Sequence, residues 1–317
     1  METAERSTPK IDPPGKILDN QVKMIRSRKE KPELPTGIKP LDDIVRIERK
    51  QICVIAGRPG EGKSSLAGAI AMNLADNGKY VLYVSLEMPE GDILERMMCS
   101  FSDMDSDELR KGNVPPNFDS RVGVFHQFLS KTNLRIKDSW GYDTEEINVL
   151  LRECGPKKPD VMIIDHIQKI HQGKFLQRRD AITEYALDME RIAMRHNMSV
   201  ILLSQLNRDA VKGQPGMEHL KESGTLEESA SVVLLLCWKT MDKDKDPSDP
   251  AFQIIVGKQR YGPSGMAINL EFHANKSKFT FFEEEVWTRT QSVSPAGQQK
   301  SEEIKELFGI EKSNPDG

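Results

Sequence analysis

From Pro32 to about Glu285 the chain alternates between two hydrophobic patterns. Short runs that are apolar at nearly every position give way to longer stretches in which apolar residues recur every three or four places. The runs QICVIAG (51–57), YVLYVSLE (80–87), LRIKD (134–138), DVMIIDHI (160–167), SVILLSQL (199–206), SVVLLLCW (231–238) and FQIIVGKQR (252–260) predict strands. The stretches SSLAGAIAMNLADNG (64–78), EGDILERMMCSF (90–101), DTEEINVLLREC (143–154) and DAITEYALDMERIAMRHN (180–197) predict helices. Gly78 closes the first of these, and Asp143 or Thr144 caps the third at its N-terminus. Continuous apolar strands separated by amphipathic helices define an α/β fold, a mostly parallel sheet flanked by helices. The last strands follow one another without helices, which predicts an antiparallel C-terminal extension ending in a hairpin over FHANKSKFTFFEE (272–284).

The two ends read differently. Residues 1–16 are rich in Pro, Ser, Thr and charge, the composition of a flexible arm. In ILDNQVKMIRSRKEK (17–31), Ile17, Val22 and Ile25 recur at loosely helical spacing, which predicts a short linker helix able to dock on a partner. Residues 286–317 are polar and are expected to form a disordered tail, with an amphipathic turn or two at EEIKELFGI (302–310). The expected division is an arm at 1–32, one domain at 33–285 and a tail at 286–317.

Composition narrows the function classes. With 317 residues, 37% hydrophobic and 30% charged, the chain suits a soluble globular protein. No apolar run approaches the roughly 18 to 20 residues that span a bilayer, and METAERSTPKIDPPGK lacks the apolar centre of a secretory signal. A cytoplasmic protein is expected. Cys53, Cys99, Cys154 and Cys237 are scattered without a CxxC pair and read as buried free thiols, and the six histidines have no zinc-ligand spacing. The net charge of −4 excludes a basic coat but leaves room for a basic groove or pore.

The chemistry begins between the first strand and the first long helix. Gly57-Arg58-Pro59-Gly60-Glu61-Gly62-Lys63-Ser64 fits the pattern G-x-x-x-x-G-K-[ST]. Its glycines let backbone N–H groups converge on an anion, and the helix that follows adds its positive dipole end. Residues 57–64 with Ser65 are therefore the candidate cradle for ATP or another NTP. Lys63 would reach the β- and γ-phosphates, and the Ser64 hydroxyl would hold Mg2+. Glu61 is expected to point outward, away from phosphate. Asp165 ends an apolar run at the strand edge where α/β sheets bind ligands, and is the candidate magnesium carboxylate. Glu87 ends its strand in the same way, as a catalytic base or as a helix-capping or surface residue. Gln205 likewise reads as a γ-phosphate sensor or as an ordinary polar strand end.

Taken in order, these segments resemble the RecA-like motor domain of the DnaB-type hexameric replicative helicases. LPTGIKPLDDI (34–44) resembles the family's leading segment, AGRPGEGKSS its Walker A loop and SLEM (85–88) its catalytic-glutamate motif. VMIIDHIQKI resembles its Walker B strand, ILLSQLNRD (201–209) its sensor motif, LKESGTLEESA (220–230) the segment that follows, and GKQRYGPSG (257–265) the motif of its trans-acting basic residues. The resemblance covers roughly residues 33–275. It implies a RecA-like P-loop NTPase core, Glu87 as catalytic base and Gln205 as sensor. It also implies that Lys258 and Arg260 reach a neighbour's γ-phosphate; without it they read as exposed strand-end charges. The family's N-terminal collar domain is not expected in this chain, and Ser229 and Ser231 stand where the family usually carries acidic residues.

Two loops are candidates for single-stranded DNA. QKIHQGKFLQRR (168–179) carries Lys169, Lys174, Arg178 and Arg179, and NRDAVKGQPG (207–216) carries Arg208, Lys212 and Gly213. Basic groups repeated around a ring can follow phosphates without reading bases. The resemblance favours the second loop. The function expected is that of an ATP-dependent DNA helicase assembled as a hexameric ring, with a primase, polymerase or loader as further partner. The alternatives are a RecA-like DNA-binding ATPase and a helicase-loading adaptor that does not unwind.

Overall fold

Each predicted strand forms, and all join one sheet. The computed structural model describes residues 12–27, 32–139, 142–171, 177–207, 214–238, 251–281 and 287–289. In chain order these give α1 (Pro14–Ser27), α2 (Lys39–Ile44), β1 (Ile52–Gly57), α3 (Lys63–Asp76), β2 (Val81–Ser85), α4 (Glu90–Ser102), α5 (Ser106–Arg110) and α6 (Phe118–Lys131). There follow β3 (Leu134–Asp138), α7 (Thr144–Glu153), β4 (Val161–Asp165), α8 (Arg178–His196), β5 (Ser199–Gln205) and α9 (Gly224–Ser229). The C-terminal strands are β6 (Ala230–Trp238), β7 (Ala251–Gln259), β8 (Met266–His273), β9 (Lys278–Thr280) and β10 (Trp287–Arg289).

The sheet runs β10-β8-β7-β6-β1-β5-β4-β2-β3, with β9 paired to β8. From β6 to β3 every pairing is parallel, and from β6 outward through β7, β8 and β10 every pairing is antiparallel. The mostly parallel sheet with an antiparallel extension is therefore as expected. The expected disordered tail is corrected at its start: Trp287–Arg289 pairs with Met266–Ile268, because an open β8 edge still offers ladder partners there.

The strands are apolar throughout because both faces are covered. In β1, Cys53 and Ile55 face a core shared with Leu66, Ile70, Ile93 and Phe125, while Ile52, Val54 and Ala56 face Ile182, Met189 and Leu226. Fully burying one such Ile or Phe is worth about 1.5–3 kcal/mol. Helix α7 starts as predicted, on a reciprocal cap: Asp143 accepts from the Glu145 and Glu146 N–H groups, and the Glu146 carboxylate accepts from the Asp143 N–H. At the N-terminal edge of the sheet Arg49 ties three segments, donating to Glu33 Oε1 (2.6 Å), Asp160 Oδ1 (2.5 Å) and the Asn197 carbonyl (3.0 Å).

Cys53, Cys99 and Cys237 are buried free thiols and Cys154 is half-buried; burial pushes the Cys53 thiol up to about 12. Among the described residues no helix is long and apolar enough to cross a membrane.

Candidate nucleotide site and nucleic-acid face

The strand register assembles the site. Gly57 lies opposite Gln205, and Ser85 lies opposite Asp165, so the C-terminal ends of β1, β5, β4 and β2 stand side by side. This is the edge at which open α/β sheets hold ligands.

After β1 the chain turns at Gly60 (φ 80°) and Gly62 (φ 71°), conformations that only glycine adopts without strain. At Gly62 a second constraint applies, since a Cβ there would come within 2.7 Å of the Phe272 ring. No side chain caps α3, whose first residue is Lys63. Its first-turn N–H groups and dipole end are thus open to an anion. The Lys63 ammonium is buried and donates to the Gly57 carbonyl (2.9 Å) and the Arg58 carbonyl (2.8 Å), lying across the loop. Burial pushes its pKa down, against the pull of Asp165, Glu61 and Glu87.

Glu61 does not point outward. Its side chain is only 4% exposed, one oxygen accepts the Arg58 N–H and the other lies 3.4 Å from the Arg58 guanidinium. The loop buries this carboxylate because it supplies donors for both oxygens. Ser65 is also buried, one residue beyond Ser64 on α3.

Asp165 is buried at the end of β4 and accepts the Tyr83 hydroxyl at 2.7 Å. Burial, then Asp165, drives the Tyr83 hydroxyl well above its ordinary pKa, with Ser64 nearby pulling the other way. The phenol thus lies between the serine that follows the loop and the carboxylate of β4, bonded to the latter. A hydroxyl and a carboxylate are hard oxygen donors of the kind that fit Mg2+.

Glu87 lies just past β2 with both carboxylate oxygens engaged. His166 Nδ1 is 3.1 Å from Oε2, and Lys169 Nζ is 3.2 Å from Oε1. The imidazole is buried, which pushes its pKa down against the pull of Glu87 and Asp165. Its Nε2 has no partner. The neighbouring Gln168 ties the turn Ile167–Lys169 to the end of β5: its Oε1 accepts the Gln205 N–H (3.0 Å), and its Nε2 donates to Ser204 Oγ (2.9 Å). Tyr83, His166 and Gln168 were not among the residues the sequence singles out. A lone hydroxyl inside an apolar strand is the signal Tyr83 offered, and proximity to Asp165 is the signal for the other two.

Lys258 and Arg260 lie elsewhere. Strand β7 runs antiparallel to β6, placing Lys258 opposite Val233, which in turn is opposite Val54. The Arg260 N–H donates to the Ser231 carbonyl (2.9 Å), beside the Ala230 that pairs with Ile52. Arg260 therefore stands at the start of β1, some five residues or ~17 Å along the strands from Gly57, and two strands aside. Its side chain is exposed. The Lys258 ammonium donates to the Glu227 and Glu228 carbonyls at the end of α9; burial pushes its pKa down and the charge of Arg260 adds to this. Ser229 and Ser231 are buried.

Of the nucleic-acid candidates, Lys169 points to Glu87, and the Arg178 guanidinium lies 3.4 Å from the carbonyl of the next residue, Ile170. Arg179 is exposed at the start of α8. Lys174, Arg208, Lys212 and Gly213 lie outside the described residues.

A phosphate loop with a buried carboxylate two strands along defines a P-loop NTPase. Residues 33–281 match the DnaB-like helicase C terminal domain, and the chain belongs to that family. It is 31% identical over 261 residues to a probable plasmid replicative DNA helicase of Chlamydia psittaci, covering 80% of this chain and 56% of that protein. To the replicative DNA helicase DnaC of Bacillus subtilis it is 29% identical over 258 residues, 79% of this chain and 57% of that one. The chain thus spans a little over half the length of the curated relatives it matches. Among solved structures, the ATPase domain of G40P superposes with TM-score 0.78 at 25% identity, over 85% of this chain and 98% of that chain. A DnaB-like replicative helicase studied with primase gives 0.77 at 25% identity, over 84% and 68%. The RadB recombinase, at 18% identity and TM-score 0.52, over 79% and 100%, shares the fold alone. The RecA-like ATPase fold is shown.

Proposed function

We propose that this chain is the motor of an ATP-dependent replicative DNA helicase that moves on single-stranded DNA as a hexameric ring. The observation that carries this is the separation of Arg260 from the phosphate loop of its own chain. An exposed arginine this far from its own phosphate loop supports the reading that it serves a neighbour's nucleotide, with hydrolysis dependent on assembly. In the assembled site Lys63 and the loop N–H groups hold the phosphates. Asp165 and Ser64 would hold Mg2+, which when bound neutralises phosphate charge. Glu87 aligns the attacking water, and Arg260 of the adjoining subunit stabilises charge on the transferred phosphoryl. Gln205 reads the γ-phosphate, and its link through Gln168 passes that state to the turn carrying Lys169. Arg178 and Arg179, and in the undescribed loops Lys174, Arg208, Lys212 and Gly213, would follow the strand's phosphates. The likeness to a DnaB-like replicative helicase studied with primase supports a primase partner; a polymerase or loader fits the same role. The expected setting is the cytoplasm of a bacterial or phage-infected cell.

The test is forked-duplex unwinding by the purified chain with ATP and Mg2+. Unwinding and a DNA-stimulated ATPase, both lost in Lys63→Ala, are expected. Hydrolysis without any unwinding would overturn the motor reading in favour of a non-unwinding ATPase.

A further inference from the structure

Both residues that hold Glu87 come from the segment that follows Asp165, yet they are held very differently. His166 is buried, and its ring is fixed beneath Glu87. Lys169 is not fixed: its side chain is 41% exposed and that of Glu87 is 42% exposed. Half-exposed ion pairs are weak, so this one can open. Lys169 is also the last residue of the turn, and the next residue, Ile170, carries the carbonyl beside the Arg178 guanidinium. Two cations therefore flank one short piece of backbone at the edge proposed to meet the DNA strand. The same ammonium that occupies Glu87 Oε1 is the cation closest in sequence to the catalytic edge on that face.

We propose that Lys169 is a positioning residue that exchanges Glu87 for a phosphate of single-stranded DNA. With no strand bound, the ammonium competes with the attacking water for Glu87 Oε1. A DNA phosphate lodged between Lys169 and Arg178 draws the ammonium away and leaves Glu87 held by His166 alone, with one oxygen free for water. No covalent bond changes; one ion pair replaces another. The device makes hydrolysis respond to the strand, and it rests on the nucleic-acid reading given above.

The experiment measures ATPase turnover of the full chain at saturating ATP, with and without a saturating oligo-dT strand, for wild type, Lys169→Met and Lys169→Arg. Lys169→Met is expected to raise the DNA-free kcat about two- to fivefold, the range an exposed ion pair allows. The KM for ATP should stay unchanged, and stimulation by DNA should fall by the same factor. Lys169→Arg, which keeps the charge, should recover most of the coupling. A purely structural role would instead lower both rates together. If wild type is stimulated by the strand and Lys169→Met keeps the full ratio or slows the DNA-free rate, the exchange is wrong and the DNA reading stands. If wild type shows no stimulation, the DNA reading falls and the exchange falls with it.

Discussion

At Glu61 a carboxylate sits within a loop built to receive phosphate. Its burial is tolerable because Arg58 gives it both a backbone N–H and a guanidinium. The pair braces the loop from inside, and the negative charge also reaches Lys63, helping to keep that buried amine protonated. Glu61→Ala would strand the Arg58 N–H without its acceptor, at a cost of about 1–3 kcal/mol. Thermal unfolding of the nucleotide-free variant should show the loss; an unchanged midpoint would mean that water replaces the carboxylate. The identity of the loop, of Asp165 and of Gln205 was legible in the sequence because each ends or follows an apolar run, and a strand's end fixes its place on the sheet. The direction of Glu61 was not legible. It depends on what the folded loop offers as donors, and the general cost of a carboxylate near phosphate pointed the wrong way.

Elements show the same division between local and distant causes. Helix α7 was readable to the residue because its capping signal is carried by Asp143 and Glu146 within one turn. Helix α6 was not read at all. Its apolar positions Phe118, Val122, Phe125 and Leu129 do recur at helical spacing, though Phe125 alone among its residues is fully buried. It is held by an aromatic cluster, Phe101, Phe125 and Phe128, assembled with α4. Helix α1 formed where Ile17, Val22 and Ile25 suggested it, but among the described residues nothing covers its apolar side: Ile17, Leu18 and Ile25 are 50%, 63% and 57% exposed. An uncovered amphipathic helix ahead of an ATPase that needs its neighbour is best used as a strap across the subunit boundary. Deleting residues 1–31 should leave a folded domain whose circular dichroism has lost only the contribution of α1, but with smaller assemblies by light scattering. Full-size rings from the truncated protein would remove the strap.

For the whole molecule, the sheet itself separates the two groups of candidate catalytic residues. Parallel pairing from β6 to β3 gathers Lys63, Asp165, Glu87 and Gln205 at one edge, and the antiparallel turn into β7 carries Lys258 and Arg260 back to the other. Within one subunit the two groups stand at opposite edges of the sheet. Complementation between dead subunits follows. Lys63→Ala spoils the phosphate loop of its own chain but leaves its Arg260 intact, and Arg260→Ala does the reverse. Each protein alone should therefore be inactive. When the two are co-expressed in equal amounts, a boundary is complete wherever an Arg260→Ala subunit offers its loop to a Lys63→Ala subunit's arginine. Random assembly into a closed ring makes that about a quarter of the boundaries. The mixture should recover up to about a quarter of the wild-type ATPase rate, the readout chosen because one complete boundary suffices for it. Were Arg260 to act on its own chain's nucleotide, every mixed ring would contain only broken sites, and the mixture would stay as inactive as its parts.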